Sequence, residues 1–308
     1  MPSGADTLIS TPAAKIGLAL GSGSARGWSH IGVIRALEEA GIVPDLVCGT
    51  SIGALVGAAY AAGELDRLEP WVKSLTWQNV VGLLDMTISG GLIKGNKLVA
   101  FFRSHYTDTA IEQLPKAFGA VCTDLATGQE VWLREGMLID SVRASIAVPG
   151  LFAPVARGDL LLVDGALVNP VPVSLCRAMG ADIVIAVELS SGMKIPRLRK
   201  PVSENKPAGQ VSALLSRLQA GIGMLRSGPT LGTALPSVID VMASSINIMQ
   251  VQITRSRFAA EPADVVISPQ LAQMAQMDFH RATEAIDEGR RATGPMLAQI
   301  QALLAGSR

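Results

Sequence analysis

Aromatic side chains are scarce in this chain. They make up 4% of 308 residues, against 49% apolar residues in all. The core must be built from Ala, Leu, Ile and Val, the composition of close-packed helix and sheet layers. Histidine is scarcer still: His30, His105 and His280 are the whole set. Chemistry that leans on an imidazole has few candidates. Cysteine also occurs three times, as Cys48, Cys122 and Cys176, with no C-x-x-C spacing. That pattern argues against a disulfide framework or a zinc site, and for buried free thiols in a reducing cytosol. Net charge is lacking too, since 26 basic and 26 acidic residues balance to +0. A dominant nucleic-acid footprint is excluded. The longest apolar run, just after Ser51, is too short and too rich in glycine to span a bilayer. Residues 1–14 have neither a basic start nor an apolar stretch, which predicts a disordered tail and no secretory signal. The expected location is the cytoplasm. A positive mean hydropathy leaves open a surface that meets lipid or a partner.

What is present is a turn. Leu46-Val47-Cys48 leads into Gly49-Thr50-Ser51-Ile52-Gly53, and a small-residue helix follows over 52–62. This G-x-S-x-G pattern between a strand and a helix has the composition of a nucleophile elbow. Glycine on both flanks lets backbone approach without a Cβ clash. Ser51 is thrust out at the helix N-terminus, where free N–H groups and the helix dipole favour developing negative charge. The plain alternative is a tight turn whose serine caps the helix.

Upstream, the buried strand 15–20 runs into Gly21-Ser22-Gly23-Ser24-Ala25-Arg26-Gly27, and a helix follows over 28–41. Arg26 stands where a Rossmann fingerprint needs its last glycine, and no G-K-[ST] of a P-loop is present. The remaining functional reading is an anion cradle of backbone N–H groups, which beside a nucleophile makes an oxyanion hole. A ligand-free glycine connection is its bland counterpart. Downstream, helices are predicted over 64–75, 96–105, 141–147 and 171–179, with a surface loop over 83–94. A hairpin is predicted from 117–124 to 130–133, a central strand over 160–163, and buried strands over 182–189 and 264–268. Long helices close the chain over 238–252 and 280–305. Strands alternating with helices argue a mostly parallel sheet covered on both faces.

Residues 190–228 change character, with seven basic side chains against the single acid Glu204. One reading is a solvated loop and an ordinary packing helix. The other is a mobile basic lip, over about 190–235, that touches an anionic bilayer at the inner membrane surface or gates a site. Apolar helices after residue 210 could form a dimer face.

The shortage of histidine bears on mechanism. Ser51, Asp164 and His280 formally follow the chain order of an α/β-hydrolase triad. Yet only one strand and one helix precede this elbow, and His280 opens a charged helix. Asp164 is the remaining base candidate. It ends the 160–163 strand, before Gly165 and Ala166, on the edge where α/β sites form.

The loop GSGSARG, the elbow GTSIG and the later DGA, with the stretch Ala144-Ser145-Ile146-Ala147-Val148-Pro149-Gly150 before it, resemble the patatin-like phospholipase family. The likeness is greatest to its short bacterial members and runs from Lys15 to about Leu189. It implies an α/β fold of three layers, α/β/α, with a mostly parallel central sheet in one domain over 15–308. It implies a Ser–Asp dyad that cleaves acyl esters of lipids, with Ser51 as nucleophile and Asp164 as base. Gly23, Ser24, Ala25 and Arg26 would bind the oxyanion, and Gly21, Gly27, Gly49, Gly53 and Gly165 are the motif glycines. Ser22 and Ser24 occupy positions that are usually glycine in the family. No metal and no cofactor is implied. The expected substrate is a phospholipid, lysophospholipid or related fatty-acyl ester. Two alternatives stand beside hydrolysis: acyl transfer to an alcohol or thiol, and a non-catalytic lipid-binding role.

Overall fold

The computed structural model describes residues 14–83, 96–105, 108–190 and 238–306. The loop expected over 83–94, the N-terminal tail and the basic segment after Ser190 therefore lie almost wholly outside the described residues. The chain divides into two compact units. One takes in residues up to Met193 and from Ile246 onward; the other is Lys194–Ser245, whose described part is the helical stretch Val238–Ser245.

Eight strands form one sheet, flanked by helices on both faces. Five strands are mutually parallel in the order β3 (Ala117–Asp124), β2 (Leu46–Thr50), β1 (Ile16–Leu20), β7 (Ile183–Val187), β8 (Val265–Ile267). The inner three, β2, β1 and β7, are buried along their whole length, as strands covered on both faces must be. On one face Leu18, Leu20, Val47 and Phe118 pack with α1 (Ser29–Glu39) and α2 (Ile52–Ala61). On the other, Ala19, Cys48, Val121 and Val184 pack with α7 (Val173–Ala178). Alternation along each strand serves both layers at once.

The register of β3 decides where the site forms. Ala120 and Val121 pair with Gly49 and Thr50 of β2, and also with Leu133 and Trp132 of β4 (Glu130–Leu133). Cys122 and Thr123 pair with Val131 and Glu130 of β4, and also with Asp164 and Val163 of β6 (Leu160–Asp164). A strand residue has only two edges. Hence β2 and β6 lie on the same edge of β3 and meet end to end, β2 parallel to it and β6 antiparallel. This corrects the expectation of a central strand over 160–163. The strand arrives from beyond the carboxyl ends of its neighbours and stops against β2. A short partner, β5 (Val155–Arg157), pairs with its far side.

Between α2 and β3, α3 (Leu65–Ser74) and α5 (Asn96–His105) fall where the sequence predicts them, and α4 (Trp77–Leu83) is an additional helix. Several other helices differ from expectation for local reasons. Helix α6 spans Leu138–Ser145, earlier than expected, and ends ahead of Pro149. Pro172 delays the start of α7. Helix α8 runs Val238–Ala260, longer than expected. The closing segment is two helices, α9 (Ala282–Thr293) and α10 (Leu297–Gly306). Between them Gly294-Pro295 makes a tight 3-10 turn, because proline has no N–H for the helix ladder. No helix among the described residues is long and apolar enough to cross a membrane.

Candidate active site

Where β2 and β6 meet, both chains must turn away. Ser51 does so with φ 58° and ψ −124°, a region that costs an L-residue roughly 1–2 kcal/mol. The surroundings hold it there. Its N–H donates to Ser145 Oγ at 3.0 Å, and the Ser145 hydroxyl donates to the Val121 carbonyl at 2.7 Å. Its carbonyl accepts from the amides of Ala54 and Leu55, which opens α2. The turn closes only because its flanks are glycine. A Cβ on Gly49 would fall on the Gly53 backbone, and one on Gly53 would fall on the Leu20 carbonyl.

Asp164 comes from the opposite direction. Its strand ends at Gly165, which lies against the Val121 backbone, and a 3-10 turn follows. The Thr123 hydroxyl donates to its backbone carbonyl at 2.9 Å. The Ser51 hydroxyl donates to Asp164 Oδ2 at 2.6 Å, and the Ala166 amide donates to Oδ1 at 2.8 Å. Asp164 is 3% exposed. Burial pushes its carboxyl up to about 6, although both hydrogen bonds pull the other way. An ordinary aspartate, near ~3.9, is a weak base for a hydroxyl; a buried one near 6 is better matched to neutral pH.

The glycine-rich loop lies beside this pair. Ser24 and Ser51 line one cleft together with Trp28, Leu55 and Phe279. Residues Ser24–Trp28 form a 3-10 turn, and Ser24 has φ 51°. Four amides of the loop are already engaged: Gly21 donates to Val187, Ser22 to Pro170, Ala25 to Gln276, and Arg26 to Gly23. The amides of Gly23 and Ser24 have no acceptor among the described residues. The first-turn amides of α2, Ile52 and Gly53, also lack a partner within their helix by geometry. Arg26 is buried, and its Nε donates to the Met274 carbonyl at 2.9 Å. Burial lowers its pKa, and Asp278 opposes that. It fastens the turn to the segment that supplies Met277 and Phe279 to the cleft wall. Gly27 has no room for a side chain against Ile52, so the loop and the elbow helix sit in direct contact.

The structure thus brings Ser51 and Ser24 to one cleft, with Asp164 buried and hydrogen-bonded to Ser51, and with Gly21, Gly27, Gly49, Gly53 and Gly165 at close approaches around them. Of the four candidate oxyanion residues, Ala25 and Arg26 have committed N–H groups, and Gly23 and Ser24 do not. Sequence reasoning missed Ser145. Its signal was the serine inside Ala144-Ser145-Ile146, which carries no chemistry until its position beneath Ser51 is known. His30 is fully buried in α1, and its Nε2–H donates to the Gly21 carbonyl at 2.7 Å. Burial pulls its pKa down to about 4, which fixes it as a neutral support for the loop. His280 packs edge-on against Trp77, ring centroids 6.0 Å apart.

A family model described as patatin-like phospholipase matches residues 18–177, just over half of the chain. The chain belongs to the patatin-like phospholipase family. An NTE family protein of Mycobacterium tuberculosis, itself described as uncharacterized, is 35% identical over 90% of this chain and 89% of its own length. The patatin-like phospholipase domain-containing protein 6 of Mus musculus is 38% identical over 57% of this chain, which corresponds to 14% of that longer protein. VipD from Legionella pneumophila shares the fold, with a TM-score of 0.54 over 94% of this chain and 67% of that one, at 15% identity. The patatin-like match covers the loop, the elbow and the DGA turn, so the junction of β2 and β6 falls inside the family region.

Proposed function

We propose that this patatin-like protein is a serine acyl-ester hydrolase acting on lipids through a Ser51–Asp164 dyad. The observation that carries the reading is the 2.6 Å hydrogen bond from the Ser51 hydroxyl to a buried carboxylate, at the mouth of an apolar cleft. Asp164 takes the hydroxyl proton as Ser51 Oγ attacks the ester carbonyl. The tetrahedral oxyanion is received by the N–H groups of Gly23 and Ser24, which have no acceptor among the described residues. Collapse expels the alcohol, which leaves with the proton from Asp164. Water then attacks the acyl-serine with Asp164 again as base, and the free acid departs. No step needs an imidazole. Family membership supports lipid as the substrate class, and the apolar lining of the cleft supports a fatty-acyl group. The test is hydrolysis of p-nitrophenyl esters by the wild type beside Ser51→Ala and Asp164→Asn. Turnover that disappears in the first and collapses in the second is expected. Turnover that survives Ser51→Ala would overturn the proposal.

A further inference from the structure

The cleft at Ser51 does not end with its own walls. It spans about 780 Å³, part of it open to solvent, bounded by Ile52, Leu55, Trp71, Val148 and Phe279 among others. A second apolar cleft, spanning about 570 Å³ and also partly open to solvent, lies further along α2, against Ala58, Ala59, Ala62, Leu68 and Val142. Leu55, Phe102 and Ile146 line both. They therefore form the partition between the two spaces. Helix α2 is the common floor: Ile52, Leu55, Ala58, Ala59 and Ala62 recur at helical spacing on one side of it. From Ser51 to Ala62 that floor is about 16 Å long at the rise of an α-helix.

The chemistry of the second cleft selects its occupant. Its two polar side chains are engaged elsewhere. Glu64 pairs with Arg67 at 2.9 Å, and Arg143 donates to the Ala153 carbonyl at 2.9 Å with its guanidinium over the Phe152 ring. The rest of the lining is hydrocarbon, so a phosphate or sugar head group would lose most of its hydration there with little in return. An alkyl chain would meet matching apolar surface.

We infer that the two clefts are one acyl site in two compartments: a single long fatty-acyl chain, esterified at Ser51, passes between Leu55, Phe102 and Ile146 and ends over Ala58–Ala62. This rests on the hydrolase reading and assigns that enzyme to long-chain acyl substrates. Short chains fill only the first compartment. Ala59 and Ala62, half-buried and on the floor of the second, set the limit of chain length.

The experiment is a series of p-nitrophenyl butyrate, octanoate, laurate and palmitate with wild type, Ala59→Phe and Ala62→Trp. In the wild type kcat/KM should rise with length. Ala59→Phe should lose at least tenfold on palmitate and laurate and hold butyrate at the wild-type value. Ala62→Trp, further from Ser51, should lose on palmitate and spare laurate more. Unchanged profiles, or equal losses at every length in Ala62→Trp, would overturn the inference. Should Ala59→Phe lose butyrate as well, Ala62→Trp decides alone. Palmitate binding to Ser51→Ala protein, measured by calorimetry, separates this inference from the hydrolase reading. An enzyme without turnover whose palmitate affinity still falls tenfold with Ala59→Phe sinks the reaction and keeps the compartment. Affinity that ignores Ala59→Phe sinks the compartment whatever the turnover.

Discussion

Two serines face one cleft with backbones in the left-handed half of the conformational map. Among the described residues, Ser24 and Ser51 are the non-glycine positions with positive φ, at 51° and 58°. The glycines with positive φ, such as Gly41, Gly128 and Gly158, lie away from the cleft. Both serines carry strain, but they hold it differently. Ser51 is fixed by the fold's central pairing: β2 behind it, α2 ahead, Ser145 beneath and Asp164 opposite. Ser24 is fixed by a remote segment, through Ala25 to Gln276 and Arg26 to Met274. In the proposed mechanism one needs its side chain and the other needs only its N–H. Strain at Ser51 cannot be relieved without losing the nucleophile. Strain at Ser24 can.

The sharpest way to draw that contrast is to make both positions glycine. Ser51→Gly should lose at least about 10⁴-fold in kcat, since nothing else supplies the nucleophile. Its unfolding free energy at pH 5, where the Asp164 carboxyl is mostly protonated, should rise by about 0.5 kcal/mol, the strain released less the added freedom of glycine in the unfolded chain. Denaturant titration and ester turnover measure the two effects. Retained turnover would break the contrast at its first member.

Asp164→Asn follows in size, with kcat lower by roughly 10³–10⁴-fold. The same variant should reveal the cost of the buried carboxylate. Because the folded-state pKa is raised to about 6, the native protein binds this proton more tightly than the unfolded chain. The stability tied to that proton is present below about pH 4 and is lost as pH rises through about 6. Wild type should therefore lose about 3 kcal/mol relative to Asp164→Asn between pH 4 and pH 7, a two-unit shift at 1.36 kcal/mol per unit. His30, with its pKa pulled down, acts with the opposite sign in both proteins: its contribution falls away as pH drops from 6.5 toward 4. Taking the difference between the two proteins removes it. Parallel stability curves would show that burial does not perturb Asp164.

Ser145→Ala tests what pins the strained nucleophile. It strands the Ser51 amide and the Val121 carbonyl, both buried, and should cost about 2 kcal/mol. A misplaced hydroxyl should lower kcat roughly tenfold with KM little changed. An equal effect on KM would mean that the cleft, and not the nucleophile, had moved. The smallest effect belongs to Ser24→Gly. Strain relief less the added freedom of glycine in the unfolded chain leaves a gain of about 0.5 kcal/mol. Activity should stay within a few-fold of wild type. A large loss would give the Ser24 hydroxyl a part in the reaction and erase the distinction between the two serines.

These residues also mark how far the chain could be read without its structure. Gly49-Thr50-Ser51-Ile52-Gly53 was legible because a tight strand–helix turn permits few residue types. The three-layer arrangement was legible from buried runs alternating with helices. The junction itself was not. Leu160-Leu161-Leu162-Val163 reads as a buried strand, but an apolar run carries no sign of its direction. Only the pairing of Cys122 with Asp164 reveals that β6 runs against β3 and ends on β2. Asp164 was identified as the candidate base from its place after that strand, yet its shifted pKa is a property of burial and could not be read locally. The turn at Gly294-Pro295 is visible in the letters, as a proline inside an otherwise helical stretch. Which loop amides are spent depends on Val187, Pro170 and Gln276, partners remote in sequence.

One measurement bears on the central claim most directly: the rate of fluorophosphonate labelling as a function of pH, with the modified peptide mapped. The account predicts a single adduct on Ser51. It predicts a labelling rate that rises with one apparent pKa near 6 as Asp164 ionises, and a flat, slow profile in Asp164→Asn. An adduct on another residue, or an unchanged profile in Asp164→Asn, would contradict it.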